Sequence, residues 1–293
     1  MIYRYQKKAK RILSKLKNKL KLLKDPIDPY GIVKTILNFF LVLFFAYELI
    51  VIPLKISFPD NIGHTFDAFE YVEIAVFVID ILLNFHTLFY LDSVPIIEHS
   101  RIAMHYLKGW LIVDLIACFP FQKLSSDLGN SIINPYAFLN LIKLFKLSKT
   151  LKHFSIKKQW AHLREYFGLS IDISVSVEMA GVIRLLRLCL VLSMLTHWMA
   201  CFWYLIGHGQ GVKSWIYLAD QEDLAWGSQY LTALYWASTT MMTVGYGDIY
   251  ATNNAERIYN IFSMLVGCGI FGYTMNQVGD IINQINSEVN YKE

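Results

Sequence analysis

The dominant pattern along the chain is a succession of long apolar windows separated by short polar stretches. Windows able to cross ~30 Å of hydrocarbon lie at about 32–54, 66–90, 107–122, 133–155, 180–207 and 256–284. The third is short and the fourth is interrupted by lysines. Between the fifth and sixth lies SQYLTALYWASTTMM (228–242), which is apolar but too short to span. A re-entrant helix suits that length, provided that protein rather than lipid surrounds it. The pattern therefore predicts an all-α membrane protein: a four-helix bundle, then a two-helix module enclosing a re-entrant helix. No strand or soluble domain is expected.

Composition agrees with that pattern. Of 293 residues, 55% are hydrophobic and 15% aromatic, and mean hydropathy is +0.38, too apolar for an ordinary soluble domain. Cys118, Cys189, Cys201 and Cys268 all sit in apolar runs without metal-ligand spacing, so buried free thiols are expected. The net charge of +4 is unevenly spread, because residues 1–24 hold ten Lys/Arg and no acid. Ile12, Leu16, Leu20 and Leu23 recur there at helical spacing opposite a basic face. That pattern predicts an amphipathic helix on an anionic membrane surface; the spans that follow argue against a nucleic-acid-binding arm. The link after the fourth window is basic (Lys157, Lys158, Arg164), whereas the loop before the half-span carries Asp220, Glu222 and Asp223. The positive-inside rule then places both termini in the cytoplasm.

After the half-span comes TVGYGD, Thr243 to Asp248. Gly245 and Gly247 can take backbone angles closed to other residues, so successive carbonyls can face one axis. Carbonyls of Thr243, Val244, Gly245 and Tyr246, with the Thr243 hydroxyl, can replace the hydration shell of a potassium ion. One chain supplies one wall of such a pore, so four chains are required. Gly-Tyr-Gly alone is also an ordinary turn; its position after a re-entrant-length helix and between two spans favours the filter.

YWASTTMMTVGYGD resembles the pore helix and selectivity filter of tetrameric potassium channels. Tyr235 and Trp236 fall where that family keeps an aromatic pair bracing the filter. DILLNFHTLFY (80–90) and HWMACFWYLIG (197–207) resemble the second and fifth helices of the ether-à-go-go and cyclic-nucleotide-gated branch. The resemblance spans roughly residues 26–290. Relatives often carry Gly-Phe-Gly, or replace the filter threonine; the full Thr-Val-Gly-Tyr-Gly-Asp implies strict potassium selectivity. Relatives usually continue into a cyclic-nucleotide-binding domain, for which the chain leaves no room before Glu293. A cyclic nucleotide is expected to matter only if such a domain follows, and no other cofactor is required beyond permeant potassium ions.

Every proline lies at or before Pro135, so a bend in the sixth span must come from glycine. Gly267, Gly269 and Gly272 are available, and the resemblance suggests a hinge there with a constriction near Met275 to Ile282. Small residues also permit close helix packing, and both readings stay open.

In LIKLFKLSKTLK (141–152), lysines recur at 143, 146, 149 and 152. Steps of three turn an α-helix by about 300°, so the four charges drift through ~180° of its circumference; a 3₁₀-helix aligns them in one row. A surface helix would mix steps of three and four to hold them on one side. A lysine at the bilayer centre costs ~2.5–3.5 kcal/mol on insertion scales, so acidic partners are needed. Glu73, Phe77, Asp80 and Asn84 share one face of the second window, Glu70 extends it, and Asp114 is a further candidate. In voltage-sensor domains an aromatic, an acid three residues later and an acid in the third helix form the centre that gating charges pass. Phe77, Asp80 and Asp114 match. The alternative is a fixed ion-pair network. Asn134, Ala137 and Asn140 stand where many relatives keep arginine, and lysine cannot pair bidentately, so a weakened sensor is expected.

The expected organisation is a basic segment (1–25), a voltage-sensor-like domain (26–156), a linker (157–179), a pore domain (180–285) and the start of an extension (286–293). His86, His153 and His197 are placed at or near helix ends, where they cap or pack, and no enzyme chemistry is expected. The expected function is a tetrameric potassium channel subunit in the plasma membrane, assembled with three identical or related chains. A non-conducting subunit that keeps the fold and a secondary transporter are the rivals. The intact glycines argue against the first, and a single half-span argues against the second.

Overall fold

The computed structural model describes residues 26–62, 67–92, 94–119, 141, 144 and 177–292. Helices dominate, as the apolar windows predict: α1 (Ile32–Ser57), α2 (Pro59–Ile62), α3 (Asp67–Asn84), α4 (His99–Lys108), α5 (Leu111–Cys118), α6 (Val177–His208), α7 (Trp215–Leu218), α8 (Trp226–Met241) and α9 (Asn254–Lys292). Among the described residues, three segments are long and apolar enough to cross a membrane: Ile32–Ser57, Met179–His208 and Asn254–Asn283. The fourth window, the basic segment 1–25 and the linker lie outside the described residues.

The described chain falls into two compact units. One takes residues 26–45 and 69–119; the other takes residues 46–62, 67–68 and 177–292. Residues 46–62 therefore group with α6 to α9. Hydrogen bonds join α6 to the second half of α1, from Trp198 Nε1 to the Leu49 carbonyl and between His197 Nε2 and the Ile50 carbonyl.

In the first unit Leu37, Leu41, Phe45, Phe77 and Ala117 form a buried cluster, with the Phe45 and Phe77 rings 5.9 Å apart. Two expectations need correction here. The second window yields a helix only to Asn84, after which β1 (Phe89–Leu91) and β2 (Val94–Ile96) make an antiparallel hairpin in the register Phe89↔Ile96, Tyr90↔Pro95, Leu91↔Val94. Apolar residues there alternate with a turn and an edge proline, a short-range signal that a hydropathy window averages away. The third window does not begin at 107. Its start belongs to amphipathic α4, which buries Ile102 and Tyr106 and ends at Gly109, and α5 starts afresh at Leu111.

The second unit buries Phe58, Met199, Ala200, Trp203, Tyr204, Trp215, Ala233, Trp236, Ala237 and Met241 around α8. Trp203 is the hub: its ring stacks on Trp236 at 3.9 Å and on Trp215 at 5.7 Å. Aromatic residues of this size contribute large buried areas and prefer such offset contacts. Outward faces of α6 and α9 stay apolar and exposed, including Val182, Leu186, Leu190, Ile258, Ile261 and Leu265, as lipid or further protein would require.

Candidate functional site

Helix α8 runs directly into the Thr243–Asp248 loop. Its last turn is closed by Met242 N–H donating to the Ser238 carbonyl at 2.9 Å. The next amides fold back onto the same turn. Thr243 N–H reaches the Thr240 carbonyl at 3.1 Å, and Val244 and Gly245 N–H both reach the Thr239 carbonyl, at 2.8 and 3.2 Å. These bonds hold the start of the loop against the carboxyl end of a helix, where the macrodipole places about −0.5 of an elementary charge.

The loop backbone alternates in hand. Gly245 has φ 59° and Gly247 φ 78°, and a Cβ at either would meet no atom within 4 Å. These glycines are thus required by conformation and not by crowding. Thr243 also has positive φ, 57°. Sequence reasoning missed this, since a β-branched residue there is strained by roughly 1–2 kcal/mol and only surrounding structure can hold it. The two hydrogen bonds that the Thr239 carbonyl accepts, from Val244 and Gly245 N–H, are the local restraint.

At the far end of the loop Tyr235 donates its hydroxyl to Asp248 Oδ2 at 2.8 Å, and Asp248 Oδ1 accepts from Ile249 N–H at 3.1 Å. The Tyr235 and Tyr246 rings lie parallel, 6.4 Å apart. Trp236, the next residue of α8, is buried against Trp203. The two aromatics thus take different work: Tyr235 binds the loop, and Trp236 anchors the helix that carries it. Tyr246 is 71% exposed and Val244 51% exposed in the single chain.

A second set of bonds ties the loop before α7 to the start of α9. Asn253 caps α9 by accepting from Glu256 N–H at 3.0 Å, an ordinary N-cap arrangement. The buried Glu256 carboxylate accepts from Trp215 N–H at 3.1 Å and Thr252 N–H at 2.8 Å. Thr252 Oγ1 and Asn253 Nδ2 in turn donate to the Lys213 carbonyl at 2.7 and 3.0 Å. Glu256 was not singled out from sequence. The N-x-x-E spacing of a capping box was the available signal.

Of the glycines in α9, Gly267 is the packed one: a Cβ there would lie 3.4 Å from Met241 Cα and 3.5 Å from the Thr240 carbonyl. Gly269 and Gly272 face open space. Gly267 thus lies in ordinary van der Waals contact with the end of α8, whereas Gly269, Gly272 and Gly279 meet no atom within 4 Å. Met275 and Ile282 are exposed.

In the first unit Glu73, Phe77, Asp80 and Asp114 are all buried, as is Glu70. Tyr106 donates to Asp114 Oδ2 at 2.6 Å. Lys34 of α1 bridges α3, with Nζ 2.8 Å from Asp80 Oδ1 and 2.7 Å from Asn84 Oδ1. Neither Lys34 nor Tyr106 was anticipated: Lys34 meets Asp80 across 46 residues, and Tyr106 meets Asp114 only because the chain breaks between α4 and α5. Lys143, Lys146, Lys149 and Lys152 lie outside the described residues, as do Asn134, Ala137, Asn140 and His153.

Two minor expectations change. His197 is not at a helix end: it lies within α6, buried, with both ring nitrogens bonded. Cys201 is buried, but Cys189 and Cys268 are exposed on the outward faces of the isolated chain.

Comparisons with known proteins agree with this geometry. A family model described as "Ion transport protein" matches residues 34–290. "Potassium channel AKT1" of Oryza sativa subsp. indica is 29% identical over 284 residues, 94% of this chain and 28% of that protein. "Voltage-gated inwardly rectifying potassium channel KCNH2" of Canis lupus familiaris is 28% identical over 235 residues, 74% of this chain and 18% of that protein. "Voltage-gated delayed rectifier potassium channel KCNH5" of Homo sapiens is 25% identical over 295 residues, 89% of this chain and 27% of that protein. The chain spans less than a third of the length of these relatives.

Proposed function

The chain belongs to the ion transport protein family, and we propose that it is the subunit of a potassium-selective, voltage-modulated channel in which four identical or related chains surround one pore. The observation that carries this reading is the loop after α8. Thr-Val-Gly-Tyr-Gly-Asp there has positive φ at Thr243, Gly245 and Gly247, and its amides are bonded back to Thr239 and Thr240. A peptide that alternates in hand can present consecutive carbonyls of Thr243, Val244, Gly245 and Tyr246 to one axis. Exposed Tyr246 and Val244, and the bare faces of α6 and α9, suit three neighbouring copies. The relatives named as potassium channels support the choice of ion.

In this reading potassium ions are the permeant species, and α9 lines the path with Gly269 and Gly272 free to bend. Lys143, Lys146, Lys149 and Lys152 are the gating charges, and Glu73, Phe77, Asp80 and Asp114 form the site they pass. Sixteen such charges in four chains crossing the whole field represent at most ~37 kcal/mol per 100 mV. A fraction of this moves an equilibrium of a few kcal/mol. The membrane is the plasma membrane, with both termini cytoplasmic and the basic segment on anionic lipid.

The test is flux into liposomes containing the purified chain, with potassium and sodium compared under an imposed potential. Potassium flux far above sodium flux is expected, and Lys146→Gln with Lys149→Gln should shift or flatten its dependence on potential. A folded tetramer that passes no potassium would leave the non-conducting subunit as the reading.

A further inference from the structure

Pro53 lies inside α1 and has no N–H, so the carbonyl of Leu49 lacks the donor that a regular helix supplies one turn later. In a membrane helix such a group must find another partner. One residue of α6 meets this need, and its neighbour bonds the next carbonyl of α1. Trp198 Nε1 donates to the Leu49 carbonyl at 2.9 Å, and His197 Nε2 lies 2.9 Å from the adjacent carbonyl, of Ile50. A carbonyl only accepts, so Nε2 carries the proton. In the neutral ring Nδ1 is then an acceptor, and it takes the hydroxyl proton of Tyr230 at 2.8 Å. Tyr230 belongs to α8. One chain of hydrogen bonds, Ile50 carbonyl to His197 to Tyr230, therefore connects α1, α6 and the helix that ends at the filter loop. The contact continues along the same face of α6. Ser57 Oγ donates to the Cys201 carbonyl at 2.8 Å, and Phe58 stacks on Tyr204 at 3.9 Å.

We propose that the second half of α1 is a fixed part of the pore unit, latched to α6 through the Leu49 carbonyl freed by Pro53 and the adjacent Ile50 carbonyl, and that His197 passes this latch to α8 through Tyr230. His197 and Trp198 are positioning residues in this scheme: they touch no ion, but set where α8 stands behind the filter. The scheme rests on the channel reading above for its effect on conduction, but the latch itself does not depend on that reading.

Two measurements separate them. The first is a double-mutant cycle of Pro53→Ala and Trp198→Phe on the thermal half-life of the detergent-purified chain. Pro53→Ala restores the missing backbone N–H, so the Leu49 carbonyl is satisfied within α1. Trp198→Phe removes the indole N–H and keeps a ring. Trp198→Phe is expected to shorten the half-life about tenfold with Pro53 present, and by much less in the Pro53→Ala background, because the two changes act on one carbonyl. Additive effects would overturn the latch. The second measurement is the potassium-to-sodium flux ratio in liposomes for Tyr230→Phe, His197→Gln and the two together, at matched amounts of folded protein. Glutamine can donate to Ile50 while accepting from Tyr230, so His197→Gln should keep the ratio. Tyr230→Phe should lower it severalfold, and His197→Gln should add nothing to that loss. An unchanged ratio in Tyr230→Phe overturns the transmission to α8. A parent chain that passes no ions sinks the channel reading, while the half-life cycle still decides the latch.

Discussion

Gly207 stands near the end of α6 at the point of closest approach to Trp215. A Cβ built there would sit 2.4 Å from Trp215 Nε1, 2.7 Å from Trp215 Cδ1 and 3.2 Å from Ile216 Cδ1. Gly207→Ala therefore cannot be accommodated without moving the indole. That ring has little freedom. It is 1% exposed, its Nε1 donates to the Trp203 carbonyl at 3.3 Å, and its face stacks on Trp203, while its own backbone N–H is held by Glu256. Overpacking of this kind costs ~1–3 kcal/mol, and displacing a buried indole N–H from its acceptor adds ~1–3 kcal/mol. Alanine is a better helix former than glycine by ~1 kcal/mol, which offsets part of this. A net loss of ~1–5 kcal/mol is expected, read as an earlier denaturant midpoint for the purified chain. Trp215→Phe should relieve most of the clash, so the double variant should be less damaged than the sum of the singles. If Gly207→Ala is neutral, or gains the ~1 kcal/mol that helix propensity alone provides, the packing of Trp215 on Gly207 is wrong.

Other perturbations separate roles that the sequence leaves merged. Gly245→Ala, at φ 59° with open space around it, should cost ~1–2 kcal/mol in backbone strain and abolish potassium flux while folded protein is still recovered; normal flux would exclude the filter role. Tyr235→Phe removes the bond to Asp248 and should destabilise the conducting loop, seen as a faster decline of flux after a potassium jump, with no change in thermal stability of the whole chain. Gly272→Ala should stabilise α9 by up to ~1 kcal/mol and, if that helix bends there, change the fraction of open channels; unchanged gating in both Gly269→Ala and Gly272→Ala removes the hinge. Asp80→Asn takes the carboxylate charge from a buried lysine and should destabilise the first unit by ~3–5 kcal/mol. Lys34→Met together with Asp80→Leu should recover most of that loss by calorimetry.

Apolar windows located the long helices because a membrane helix has to bury every backbone group within itself, so its extent is written locally in hydropathy. The loop at Thr243–Asp248 was legible for a similar reason. Glycine at positions 245 and 247 answers a backbone requirement that only residues 243–248 define. The family resemblance singled out Tyr235 and Trp236, and helix-face spacing together with that resemblance singled out Asp80 and Asp114, before their neighbours were known. What the sequence alone could not supply were pairings made across long separations. The Lys34–Asp80 bridge, the Glu256 carboxylate under Trp215 N–H and the His197 bond to Ile50 each join residues that no short pattern relates. Even Thr243, inside the motif, takes a backbone conformation that its own type disfavours, and only the turn of α8 beneath it holds it there. Local propensity and hydropathy chose the elements; packing between distant segments decided which polar groups had to meet.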